Sequence, residues 1–165
     1  MVIGLNLCPF AASEVRNSRL RLVESKAQNE SQLLEDLASE LRTLIAQPEI
    51  ETTLLIHPGV LTQFAKYNQF LDSAEAVLEQ MDLVGVFQLA SFHPNYQFAG
   101  TEPDAAENYT NRSPYPWLHI LREASLDLAI TRHADTAAIP KRNIKLMEEI
   151  GEAKLRRRLR ALRNE

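Results

Sequence analysis

Three short stretches rich in aliphatic and β-branched residues alternate with two amphipathic stretches, and this alternation constrains the fold more than any other feature. The strand-like stretches are residues 20–25, 52–57 and 84–92. Between them, apolar residues recur at helical spacing over residues 33–45 and 60–78. Strands joined by helices are most simply parallel neighbours linked by right-handed crossovers. The pattern predicts a small layered α/β domain with a three-stranded, mostly parallel sheet. A ferredoxin-like mixed sheet is the main alternative.

The length and composition of the chain are those of one soluble domain spanning residues 1–165. Apolar residues make up 45% of the chain, which is ordinary for a globular protein. No stretch approaches the roughly 20 apolar residues that cross a bilayer, so we expect no membrane association. The net charge of −4 argues against a nucleic-acid partner, which requires a basic surface. The single cysteine, Cys8, fits a reducing compartment, so we expect the protein in the cytoplasm, or in the plastid stroma if it comes from a plant.

The segment from residue 92 to residue 116 differs in character from the rest of the chain. It contains no Leu, Ile, Val or Met but is rich in Tyr, Phe and Pro. A loop of this length in a small domain is usually functional or disordered, and disordered segments are poor in aromatic residues. We therefore predict a long structured loop.

Two helices are predicted after this loop. The prolines of residues 113–116 suit the first turn of a helix that carries Trp117, Leu118, Leu121 and Leu128 on its apolar face. Residues 140–165 form a basic C-terminal helix whose arginines complement the negative end of the helix dipole. An RNA-binding tail is the alternative to a solvated helix. On the solvated interpretation, truncation after about Arg158 leaves a folded protein.

Three reactive side chains stand directly before prolines, namely Cys8, His57 and His93. Proline restricts the preceding residue to extended backbone, which fixes these positions more firmly than an ordinary loop does. His57 and His93 also end predicted parallel strands, so they should share the sheet edge at which α/β proteins bind ligands. His93 is the expected general base and Cys8 the expected nucleophile. The alternative is that Cys8 is buried and inert.

A metal site is a second interpretation of the histidines, which occur at positions 57, 93, 119 and 133. His119 and Glu123 have the i,i+4 spacing that places two ligands on one face of a helix. Together with His57 or His93 they make up a two-histidine, one-carboxylate set of the kind that holds zinc or non-haem iron. The alternative is a polar stripe facing solvent.

Binding of a small anion is the third interpretation, because a guanidinium can hold a carboxylate or phosphate through two parallel hydrogen bonds. Arg112 lies in the long loop and is the expected anion clamp, with a salt bridge to Glu107 as the alternative. The expected ligand-binding side chains are His57, Asn108, Asn111, Arg112 and Tyr115. The sequence leaves the cofactor unknown. We expect no nucleotide held in a standard way, since the glycines form neither a dinucleotide-binding nor a P-loop pattern.

Three stretches together resemble one family of uncharacterised proteins from bacteria and plant plastids, a domain of unknown function. They are VIGLNLCPFA at residues 2–11, FHPNYQFAG at residues 92–100 and ENYTNRSPYPWLHILRE at residues 107–123. The resemblance implies no activity, but it implies that Cys8, His93 and residues 108–123 belong to one protein type. Members of the family usually carry a short tryptophan-containing helix before the first stretch, so the resemblance implies either an incomplete amino terminus or a shortened member.

These observations lead to one main hypothesis and two alternatives. The main hypothesis is a small cytoplasmic enzyme or ligand-binding domain for a small anionic molecule, with its pocket between the strand ends and the 92–116 loop. The first alternative is a metal-binding protein that uses His57, His93, His119 and Glu123. The second is a non-catalytic module in which the loop and basic tail contact a protein or RNA.

Overall fold

Four strands and six α-helices make up the fold in a computed structural model that describes residues 2–132 and 136–163. The strands are β1 (Leu20–Glu24), β2 (Thr52–Ile56), β3 (Phe87–Phe92) and β4 (Trp117–Arg122). The helices are α1 (Ala11–Arg16), α2 (Glu30–Ala46), α3 (Phe64–Gln80), α4 (Glu123–Arg132), α5 (Ala138–Ile150) and α6 (Glu152–Ala161). A 3-10 helix (Ala106–Thr110) lies in the segment between β3 and β4.

The strands form one mixed sheet in the order β1-β2-β4-β3. β1 pairs with β2 in parallel, whereas β4 lies antiparallel to both β2 and β3. The α/β class is confirmed, and β1, β2 and β3 run in the same direction. The three-stranded, mostly parallel sheet is wrong, because β4 is inserted between β2 and β3. The mixed sheet of the alternative is confirmed, but its ferredoxin-like topology is wrong, since that fold orders its elements β-α-β-β-α-β.

The predicted helix after Pro116 is in fact strand β4 followed by helix α4. Leu118 and Ile120 are fully buried, and they alternate with the less buried Trp117 and His119 along the strand. This segment pairs with β2 on one side and with β3 on the other, so that Leu118 lies opposite Leu55 and Ser91. A strand hydrogen-bonded on both sides satisfies its backbone fully, and that pairing decides between two conformations that the apolar pattern allows.

The main core lies between the sheet and the helices α2 and α3. Leu33, Leu37, Leu41 and Leu44 recur at helical spacing along α2, and all four are completely buried. The side chain of Asn29 caps the start of α2 by accepting a hydrogen bond from the Gln32 backbone N–H at 3.0 Å. This packing fixes α2 and α3 on one face of the sheet.

The C-terminal segment is two helices rather than one. The backbone of Gly151 has a φ of 80°, a conformation that glycine adopts at little cost, and it separates α5 from α6. Leu155 and Leu159 of α6 are buried with Met147 of α5, Tyr109 and Leu7 in a second apolar cluster.

The predicted continuous helix over residues 140–165 is therefore wrong, and residues 164–165 of that prediction lie outside the described residues. Leu159 is only 8% exposed, whereas Leu162 is 55% exposed. A truncation after Arg158 would remove a side chain of the second cluster. No helix in the described part of the chain is long and apolar enough to cross a membrane.

Candidate functional site

His57 and His93 lie at the same edge of the sheet, each directly after the carboxyl end of a strand. Their rings flank Tyr67 of α3, with ring centroids 5.7 Å from Tyr67 for His57 and 5.2 Å for His93. The Tyr67 hydroxyl donates a hydrogen bond to the Trp117 carbonyl at 2.7 Å and accepts one from the Phe92 N–H at 3.1 Å. It thereby joins β3 to β4 where the ladder ends.

Both ring nitrogens of His93 are occupied by the backbone. Nε2 lies 3.2 Å from the Leu61 carbonyl, to which it donates, and Nδ1 accepts a hydrogen bond from the Asn95 N–H at 3.0 Å. The residue is completely buried, and burial lowers the pKa of His93 below its ordinary value. The imidazole is a neutral connector between the residues after β2 and the start of the long loop. In this arrangement it has no nitrogen free for proton transfer or for a metal.

His57 is also completely buried and neutral. Its Nδ1 donates to the Val60 carbonyl at 3.1 Å, while its Nε2 is buried and has no hydrogen-bond partner among the described residues. Burial, together with a smaller effect of the neighbouring His93, lowers the pKa of His57 to about 4, although the hydrogen bond to the Val60 carbonyl acts in the opposite direction. An unpaired Nε2 at this depth disfavours protonation, because no acceptor is placed to receive its hydrogen.

The long loop is held together by its two predicted ligand-binding asparagines. Asn108 is completely buried, and its amide makes three hydrogen bonds of 2.9 Å, to the Phe98 N–H, the Thr101 hydroxyl and the Glu102 carbonyl. Asn111 donates from Nδ2 to the Ser91 carbonyl at 3.1 Å, and its own carbonyl accepts from the His93 N–H. The side chain of Asn108 therefore orders the loop internally, and that of Asn111 joins the loop to β3.

A cleft of about 650 Å³ lies between this loop and helix α6. It stands at the carboxyl edge of the parallel strands, because Phe64 begins α3 after β2 and Pro94 and Asn95 follow β3. The basic lining residues are Arg112, Arg156, Arg160 and Arg163. The other lining residues are Phe64, Pro94, Asn95, Gln97, Pro103, Asp104, Tyr109 and Leu159.

Arg112 is fixed in this cleft by backbone oxygens and an aromatic ring, and not by an acidic residue. Its guanidinium donates to the Tyr96 carbonyl at 3.1 Å and to the Pro103 carbonyl. It lies over the Tyr109 ring, 4.5 Å from the ring centroid. The predicted alternative, a salt bridge to Glu107, does not occur. These contacts orient the positive charge without neutralising it.

The three arginines from the C-terminal segment differ in how far their charge is compensated. Arg156 forms a 2.6 Å ion pair with Glu152, whose carboxylate also accepts from the Tyr109 hydroxyl. Arg163 donates to the Pro114 carbonyl, and the side chain of Arg160 has no hydrogen bond or ion pair within residues 2–132 and 136–163. Arg112, Arg160 and Arg163 thus form no ion pair with these residues, although Glu152 interacts electrostatically with Arg112.

Sequence reasoning missed the part that α6 plays in the site. Its basic run was interpreted as a solvated helix end, yet the positions 156, 160 and 163 follow the i,i+4,i+7 spacing of one helical face. That spacing was the available signal. The sequence held no signal that this face would pack beside Arg112 of a distant loop.

The remaining predicted site residues lie elsewhere. Cys8 is partly exposed in the N-terminal segment, and its sulfur makes no hydrogen bond within the described ranges. Tyr115 is 43% exposed and does not line the cleft.

The geometry assumed for a metal site is wrong, because His119 lies on β4 and Glu123 begins α4. His119 Nε2 is 2.7 Å from the Thr52 hydroxyl, and burial lowers the pKa of His119 to about 4. Within residues 2–132 and 136–163, no group of three or more His, Cys, Asp or Glu is placed to hold a metal ion. His133 lies outside the described residues.

Fold and site together define an α/β protein with a mixed four-stranded sheet and a basic cleft at its carboxyl edge. The sequence profile of the family described as "Protein of unknown function (DUF1415)" matches residues 1–157. The chain belongs to this family, which confirms the resemblance found in its sequence. No curated protein and no solved structure matches the chain significantly.

Proposed function

We propose that this protein binds a small anionic molecule in the cleft between the 92–116 loop and α6. The observation that carries the proposal is that Arg112, Arg160 and Arg163 line one cleft and form no ion pair with the described residues. The guanidinium groups of Arg112 and Arg163 are already held by backbone carbonyls. They therefore lose little freedom when they bind a carboxylate or phosphate, because their positions are largely set beforehand.

Binding accounts for this cleft better than catalysis does. Neither histidine of the sheet edge lines it, and the buried imidazole of His93 has both nitrogens engaged. Cys8 is not part of the lining either. The lining side chains are suited to hold charge and to form hydrogen bonds, whereas proton transfer near neutral pH requires a group that titrates there.

A small molecule fits the charge distribution better than a nucleic acid. Four arginines stand against one aspartate in the lining of the cleft, while the whole chain carries a net charge of −4. A nucleic acid gains its affinity from many phosphate contacts along a basic track, which the acidic remainder of this chain disfavours. The proposed location is a reducing compartment such as the cytoplasm, in keeping with the single Cys8.

The test is an isothermal titration of the purified protein with inorganic phosphate, pyrophosphate and citrate. Arg160→Ala should weaken binding by about 10- to 150-fold, the range expected for losing a hydrogen bond to a charged group. Arg157→Ala is the matched control, since Arg157 is an exposed arginine of the same helix outside the cleft lining. Equal affinities for the two variants, or binding only to a single-stranded RNA oligomer, would contradict the proposal.

A further inference from the structure

The two walls of the cleft differ in the hydrogen-bonding groups that they offer. Helix α6 and the residue that follows it closely supply Arg156, Arg160 and Arg163, which are donors only. The loop contributes Arg112 but also three groups that accept hydrogen bonds, in Asn95, Gln97 and Asp104. A ligand that forms hydrogen bonds with both walls must therefore carry negatively charged acceptors in one part and hydrogen-bond donors in another.

The arginines of the cleft are best matched by a ligand that carries more than one negative charge. Arg112, Arg160 and Arg163 each bring a positive charge and form no ion pair with the described residues, although the Glu152 carboxylate interacts electrostatically with Arg112. A single carboxylate offers one charge and two oxygens, so it leaves part of this set unused. A phosphate monoester carries a charge of about −1.5 to −2 near pH 7 and three acceptor oxygens. It matches the three guanidiniums in both charge and number of acceptors.

The hydrogen-bond acceptors on the loop side of the cleft indicate which groups the rest of the ligand carries. Gln97 donates from Nε2 to the Thr101 carbonyl at 2.6 Å, which leaves its amide oxygen as the free group. Asp104 is exposed and forms no ion pair with the described residues, so its carboxylate can accept from a ligand. The donors that suit these acceptors are hydroxyls or amines. A protonated amine would be repelled by the nearby arginines, which leaves hydroxyls.

We propose, on the basis of the function proposed above, that the ligand is a phosphate monoester of a hydroxyl-bearing molecule about the size of a sugar phosphate. Its phosphate contacts Arg112, Arg160 and Arg163, and its hydroxyls contact Asp104 and Gln97. The cleft volume of about 650 Å³ lies within the usual range for small-molecule sites of roughly 300–1,000 Å³.

The experiment measures calorimetric affinities of the full chain for ribose 5-phosphate, glucose 6-phosphate, inorganic phosphate and citrate. At least one sugar phosphate should bind roughly tenfold or more tightly than inorganic phosphate, because the loop wall adds hydrogen bonds to its hydroxyls. Asp104→Ala should weaken sugar phosphate binding and strengthen inorganic phosphate binding, since a nearby negative charge is removed. Glu102→Gln is the control, because Glu102 is exposed in the same loop but does not line the cleft.

The results separate this inference from the proposed function. Tighter binding of citrate than of every phosphate compound, with dependence on Arg160, would overturn the phosphate monoester and leave anion binding intact. An Asp104→Ala variant that binds sugar phosphates and inorganic phosphate more tightly to the same degree would overturn the role of the hydroxyls. If none of the four compounds binds in an Arg160-dependent manner, both proposals fail.

Discussion

Replacing Asn108 by alanine should destabilise the protein strongly, although Asn108 lies in a loop and outside the cleft lining. The side chain is completely buried and makes three hydrogen bonds of 2.9 Å within its own loop. Each such bond contributes about 0.5–1.5 kcal/mol to stability, and the abandoned partners remain partly buried. We therefore expect the free energy of unfolding to fall by about 3 kcal/mol. That loss should lower Tm by about 6–12 °C for a chain of this size.

The assay is urea denaturation followed by circular dichroism, with Asn95→Ala as the matched control. Asn95 lies in the same loop, but it is exposed and its side chain makes no hydrogen bond with the described residues. The control should remain within about 0.5 kcal/mol of the wild type. A loss below about 1 kcal/mol for Asn108→Ala, at an unchanged slope of unfolding free energy against urea, would show that the loop does not depend on this amide.

Two further outcomes follow from buried groups. The pKa of His57 and of His119 is about 4 in the folded protein and near 6.5 when unfolded, so the unfolded chain binds protons first as the pH falls. The stability that their neutral forms provide is complete above pH 6.5 and should be lost between pH 6.5 and 4, by about 3 kcal/mol for each histidine. Urea midpoints that stay constant over this range would contradict the burial. In the second apolar cluster, Leu159→Ala should cost about 2–4 kcal/mol, whereas the exposed Leu162→Ala should stay within about 0.5 kcal/mol. Thermal unfolding of both variants checks the difference, and equal melting temperatures would argue against the packing of α6.

The strands β1, β2 and β3 could be predicted because each is a short run of β-branched or aliphatic residues, and the first two are followed by an amphipathic helix. Residues 117–122 could not, because they are apolar on both faces of a strand and fit the spacing of a helix equally well. Only the ladders on both sides, with Leu55 and Ser91 opposite Leu118, distinguish the two. The predicted number of strands and the helical spacing assumed for His119 and Glu123 are both wrong for this one reason.

Those parts of the candidate site that depend on the direction of the strands could be predicted from the sequence. The parts that depend on packing between distant segments could not. Parallel strands place His57 and His93 at one edge whatever surrounds them. The cleft, in contrast, requires the loop residue Arg112 and the helical residue Arg160 to meet. That meeting depends on how α6 packs its leucines against Tyr109, which no pattern within either segment encodes.

The insertion of β4 between β2 and β3 has a consequence for the order of folding. β4 lies between β2 and β3 but follows both of them in the sequence, so the sheet cannot be completed before residues 117–122 have been synthesised. Pairing of segments that are far apart in the chain slows folding, since chain entropy is lost before the contacts are gained. Until that pairing forms, β3 lacks its partner strand, because it pairs with β4. The 92–116 loop, which precedes β4, consequently also affects how fast the sheet forms, because it must close before β4 can pair with β3.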